Sequence, residues 1–190
     1  MTDTVFGIAL GFALSAACGF RVFVPLLALS LAAQSGHVQL APGFGWIGSD
    51  PALLALATAT LVEVLAYYVP WLDHLLDTLA SPAAMLAGAV ATASVVTDLP
   101  PLLHWSVAVI GGGGAAGIVQ GASVLMRIKS AVLTGGLANP LVATAELAAA
   151  VATSLLALIA PAIALCFFAL LCAVIAHASA RYILGRRQRG

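Results

Sequence analysis

The stretch "GIALGFALSAACGFRVFVPLL", residues 7–27, decides which solvent this chain is built for. It runs uncharged as far as Phe20 and then carries one full positive charge, Arg21, among apolar side chains. An arginine stays protonated in essentially any protein setting. At the centre of a bilayer it costs about 3 kcal/mol on insertion scales. Either the charge lies outside hydrocarbon, or another part of the chain compensates it.

The whole sequence has the same bias. Its 190 residues are 63% hydrophobic and 7% charged, with a mean hydropathy of +1.13. A soluble domain is about one quarter charged, so these few charges would not clothe a water-facing surface. The expected solvent is lipid, and several segments approach or exceed the roughly 20 apolar residues that cross a bilayer. The first residues lack a basic region ahead of the apolar run, so they read as a permanent span and not as a cleaved leader. Cys18, Cys166 and Cys172 fall in apolar stretches, where thiols act as small apolar groups. Their spacing suggests neither a metal site nor a disulfide framework. A formal net charge of zero gives no footing for a nucleic-acid partner, and no cofactor motif is present.

Prolines and glycines divide the chain into six expected spans, all within one transmembrane domain covering residues 1–190. The spans are 4–33, 50–69, 82–98, 103–134, 139–160 and 161–185. A turn-rich loop at 35–50 places Trp46 at interfacial depth. Residues 70–81 read as a short interfacial helix or a polar extension of the second span, with Asp73, Asp77 and Thr78 off its apolar face and His74 on the same segment. Six spans would put both termini on one side. The tail, with Arg181, Arg186, Arg187 and Arg189, marks that side as cytoplasmic. Arg127 and Lys129 obey the same rule, and Arg21 is then the exception.

An internal repeat bears on that exception. A shift of 106 residues lays Gly7 on Gly113, Gly11 on Gly117 and Arg21 on Arg127; Pro82 falls on Pro161 at a shift of 79. Glu63 and Glu146 lie between these anchors. Two three-span halves, about 4–98 and 103–187, would enter the membrane from opposite sides, as inverted repeats do. Arg21 and Arg127 would then lie toward opposite ends of their spans. The four charges would meet near the repeat axis as two Arg–Glu pairs, either lining a pathway or fixing helix packing. Asp98 and His177 are weaker pathway candidates: Asp98 also reads as a solvated cap, and His177 as an interfacial histidine. His37 and His104 read as loop or interface residues.

The glycines Gly7, Gly11, Gly117 and Gly121 have four-residue spacing that lets helix backbones approach. Gly111, Gly112, Gly113 and Gly114 weaken a helix, so the fourth span is either broken there or tightly packed. No nucleophile elbow, zinc-binding His-Glu-x-x-His or phosphate loop is present, and the expectation is not an enzyme.

With "GFRVFVPLL", "LVEVLAYYVPWLDHLLD" and the Gly-rich fourth span in view, the chain resembles, over essentially its whole length, the bacterial integral membrane proteins catalogued as domain of unknown function 4126. The resemblance implies a small multi-span inner-membrane protein and carries no functional residue onto this sequence. From the residues themselves, the expectation is an all-α membrane transporter or channel for an ion or small polar solute. Alternatives are a non-transporting scaffold or assembly factor, and a lipid-moving protein. Its partners would be the bilayer and a second copy of the chain.

Overall fold

The computed structural model describes residues 2–187; the side chains at 2–3, 70–78, 171, 175–176 and 178–187 lie outside the description. The expected surface placement of Trp71, Asp73, His74 and Asp77 therefore falls outside it, as do the side chains of the arginine tail.

The described chain is all-helical: α1 (Thr2–Cys18), α2 (Phe23–Gln34), α3 (Asp50–Ala66), α4 (Pro70–Val95), α5 (Pro101–Ser106), α6 (Gly114–Thr134), α7 (Asn139–Ile159) and α8 (Pro161–Arg187). A short 3-10 turn, Gly45–Gly48, precedes α3, and a π-helical segment, Val107–Gly113, joins α5 to α6. Two helical rods, Pro101–Thr134 and Asn139–Ile159, are long and apolar enough to cross a membrane.

Local chemistry sets the boundaries. Ser49 caps α3 by accepting from the Ala52 amide at 3.4 Å, with Asp50 and Pro51 in the first turn. Asn139 and Pro140 begin α7, and Pro161 begins α8. Gly135 closes α6 in the left-handed region at φ 63°. Gly135→Ala should cost about 1 kcal/mol in thermal unfolding, since a Cβ disfavours that conformation.

Three expectations about the spans are corrected. First, Pro82 does not start a helix. α4 runs unbroken from Pro70 to Val95 with Pro82 inside it, so the surface helix and the third span are one element. Leucines before the proline and alanines after it favour helix strongly enough to absorb one lost amide donor. Second, the Gly-rich fourth span is not broken. Gly111, Gly112 and Gly113 lie in the π-helical segment, and Gly114 opens α6. Third, the break falls in the first span. α1 ends at Cys18, α2 begins at Phe23, and Arg21 sits between them.

The chain turns back at that break. Phe6, Gly7 and Leu10 of α1 line the same pocket as His37, Val38 and Gln39, which follow α2. α1 and α2 therefore form a hairpin. α2 and α3 are antiparallel, because Gln34 bonds Asp50 at one end while Val22 and Phe23 meet Glu63 at the other. A Cβ at Gly7 would lie 2.6 Å from the Val95 carbonyl oxygen and one at Gly11 3.0 Å from the Thr92 Cα, and Ser15 donates to the Gly88 carbonyl at 2.6 Å. Those pairs make α1 and α4 antiparallel. Gly111 abuts Phe12, and Gly19 abuts Ala116 and Val119, so α1 and the 101–134 rod run the same way. Phe167 shares a pocket with Ala149, Ala152 and Leu156, which folds α8 back along α7.

Successive rods thus alternate in direction, and the start of α1 and the end of α8 lie at opposite ends of the bundle. This overturns two expectations. An inverted repeat pairing the first span with the fourth would make them antiparallel, and they are parallel. The termini do not share one end.

The interior is built from small residues. Ala13, Ala16, Ala17, Ala84, Ala91, Ala116 and Ala157 are buried, while Leu54, Leu86, Ile110, Leu133, Leu141 and Ile159 are exposed. α4 also comes close to the π-helical segment and to the start of α6. A Cβ at Gly88 would lie 2.7 Å from that of Ala116, and one at Gly112 2.7 Å from the Gly88 carbonyl oxygen. Ser15 and Thr92 hydroxyls bond at 2.8 Å in the same seam. Gly113 approaches the Met85 carbonyl at 3.1 Å and Gly117 the Met85 side chain at 3.3 Å, whereas Gly114 and Gly121 face open space. Close packing accounts for Gly7, Gly11, Gly111, Gly112, Gly113 and Gly117, and not for Gly114 or Gly121.

Candidate functional site

The hairpin turn leaves two amides without helical partners. Gly19 follows α1 and packs against Val119, and the last turn tightens, with Gly19 and Phe20 amides bonding three residues back to Ala16 and Ala17. Val22 and Phe23 then open α2. The first amides of a helix lack partners within it. Here the partner comes from α3: Glu63 Oε1 accepts from the Val22 amide at 2.8 Å, and Oε2 from Phe23 at 3.1 Å. A carboxylate at a helix N-terminus is also favoured by the helix dipole.

Four residues on from Glu63, at the end of α3, stands Tyr67. The guanidinium carbon of Arg21 lies 3.7 Å from its ring centroid, and that of Arg127 4.2 Å. Arg127 and Ser123, one turn apart on α6, both reach Glu146 of α7. Arg127 Nε donates to Glu146 Oε1 at 2.9 Å, its Nη2 bonds Oε2, and Ser123 Oγ donates to Oε1. Arg21 Nη2 donates to the Ala143 carbonyl at 2.7 Å and lies 3.6 Å from Glu146 Oε2. Arg21, Glu63, Arg127 and Glu146 are all at least nine-tenths buried.

The four charges expected to meet do so, and they sum to zero. A neutral set is what makes such burial tolerable. Their pairing differs from the expectation. Both arginines converge on Glu146, while Glu63 spends its oxygens on backbone amides. The reason is the break: it presents two amides that only a side chain from outside α2 can satisfy. Arg21 and Arg127 also meet at one level of the bundle and are not mirrored at opposite ends.

Arg21 is under-used. Its Nε and Nη1 are buried with no hydrogen-bond partner. Beside it, between α3 and α4, lies a cleft of about 720 Å3. Val22, Phe23, Glu63 and Tyr67 form its wall toward the break, and the remainder is apolar but for Thr58. Leu54, Val62 and Leu79, also on its walls, are exposed on the outer face of the bundle.

The other sequence candidates lie elsewhere. Asp98 is exposed between α4 and α5, at φ 61°, accepting from the Thr97 hydroxyl at 3.1 Å. It sits at the end of the bundle away from the cluster, as a solvated loop residue. His177 is exposed on α8. Neither joins the charged centre, so both are withdrawn as pathway residues. His37 bonds Ser35 at the surface, and His104 packs edge-on against Trp105.

Sequence reasoning missed Tyr67 and Ser123. Both had a readable signal, because each is four positions from a charged residue and so shares its helix face.

Among curated proteins and solved structures, nothing matches the chain. A family match covers residues 8–181, from α1 into α8, and takes in Arg21, Glu63, Tyr67, Arg127 and Glu146. The chain belongs to the family described as a domain of unknown function (DUF4126).

Proposed function

We propose that the protein is a small multi-pass carrier of the bacterial inner membrane whose binding centre is the break at Arg21. One observation carries this reading: the α3–α4 cleft runs from the outer face of the bundle to Glu63 and to the α2 N-terminus. A purely structural charge cluster needs no such opening. Ionisable groups inside a membrane bundle mark substrate or ion paths, and discontinuous helices supply the backbone groups that bind cargo. A core of alanine and glycine under a surface of leucine and isoleucine also suits lipid, where small residues let helices associate.

The alternating rods support an orientation different from six spans. Among the described residues, Arg21, Arg127, Lys129 and the end of α8 fall toward one end of the bundle, and no Lys or Arg falls toward the other. The positive-inside rule then puts the α8 end in the cytoplasm and the start of α1 outside.

The scaffold reading has support of its own in the closed Arg127–Glu146–Ser123 set. Reconstituted protein separates the two. A carrier should move at least one cargo from a panel of inorganic ions, small organic acids and amphiphiles, with Arg21→Gln lowering the rate about tenfold or more. Folded protein that moves none of them defeats the carrier reading and favours the scaffold.

A further inference from the structure

Resting on the carrier reading, and naming its substrate class, we propose that the α3–α4 cleft takes a single-chain carboxylic acid from the bilayer. The acid's head replaces the Glu63 carboxylate at the Val22 and Phe23 amides.

Each part of the cleft selects one part of that molecule. Its apolar wall extends along α3 from Pro51 to Glu63, about 18 Å at helical rise, which suits an extended alkyl chain. A volume of about 720 Å3 falls in the usual range for ligand sites. The exposed Leu54, Val62 and Leu79 would open the mouth toward lipid, the phase in which a neutral long-chain acid resides. An inorganic ion would have to shed its water to enter by that route.

The head group is chosen by what already sits there. Two amides at the start of α2 hold a carboxylate, and anions are the ligands that helix N-termini accept. Arg21 immediately precedes those amides and stacks on Tyr67, a cleft-wall residue. Its Nε and Nη1 are buried donors without acceptors. A second carboxylate at those amides would sit one residue from the Arg21 charge.

Two ionised carboxylates cannot share this place, and the exchange avoids that. The acid arrives protonated. Its O–H bond breaks as an O–H bond forms on a Glu63 oxygen, leaving the ligand as carboxylate and Glu63 as neutral acid. One carboxylate leaves the amides as another takes them, so the net charge of the centre is unchanged. Cargo and proton would then leave together.

The test is equilibrium binding of radiolabelled hexadecanoic acid to the full chain in nanodiscs. Wild type should bind it saturably, and dodecanoate should compete where dodecyltrimethylammonium does not. Ala59→Trp, which fills the cleft wall one turn from Glu63, should reduce affinity at least tenfold. Arg21→Gln should do the same. Glu63→Ala, which vacates the amides, should bind the anionic form at least tenfold more tightly. If Glu63→Ala fails to fold, Ala59→Trp still decides. Competition by the ammonium in place of dodecanoate, or unchanged binding in Ala59→Trp, overturns the inference. Transport of some other cargo without hexadecanoate binding overturns it and leaves the carrier reading intact. Cleft-dependent binding with no cargo moved overturns the carrier reading alone.

Discussion

Glu146→Ala should destabilise the protein by about 3–5 kcal/mol, read as a lowered thermal unfolding midpoint in detergent. Arg127 is nine-tenths buried and loses two bonded contacts with one carboxylate, while Arg21 loses the charge 3.6 Å away. Two guanidiniums then remain over the Tyr67 ring, with Glu63 still committed to the Val22 and Phe23 amides. Leaving a charge buried without its partner is the costly case, whereas removing both partners is milder. Arg127→Met combined with Glu146→Leu should therefore recover about half or more of that loss, giving a large coupling energy for two contacting residues. An unchanged midpoint in Glu146→Ala would mean that water reaches both guanidiniums.

Gly112→Val should cost about 3 kcal/mol, near the top of the range for forcing bulk into a packed interior. A Cβ there would meet the Thr92 hydroxyl and lie 2.7 Å from the Gly88 carbonyl oxygen. The second contact is backbone, so no rotamer relieves it, and α4 and the π-helical segment must separate. Unfolding midpoint and the yield of folded protein both report this. Gly121→Ala supplies the contrast. Open space surrounds that position, and replacing a helical glycine with alanine should gain about 1 kcal/mol. Equal effects at the two sites would show that the seam is looser than its distances imply.

The sequence displayed the helical class, the apolar character and the four charges that meet, because each is a matter of residue type and rough spacing. Asn139-Pro140 and Pro161 marked helix starts correctly, since a proline in the first turn acts locally. Pro82 misled for the opposite reason: whether an internal proline ends a helix depends on the surrounding packing. The glycine run at 111–114 was readable as a break or as close packing, and Gly112 and Gly113 serve the close approach of α4. The true break, at Gly19–Val22, carries one glycine and no proline. It becomes stable only when Glu63, some forty residues later, satisfies its amides. Pairing of Arg21 and Arg127 by an inverted repeat failed on direction, because glycine spacing records that two backbones touch and not which way they run.

The hairpin at Arg21 also matters in time. Residues 4–33 form one apolar run long enough to cross a bilayer as a single helix. While they are being synthesised, the carboxylate that will hold the turn does not yet exist. The first span must therefore be open to revision. The turn gains the partners of its two amides only from α3, which brings Glu63 to Val22 and Phe23.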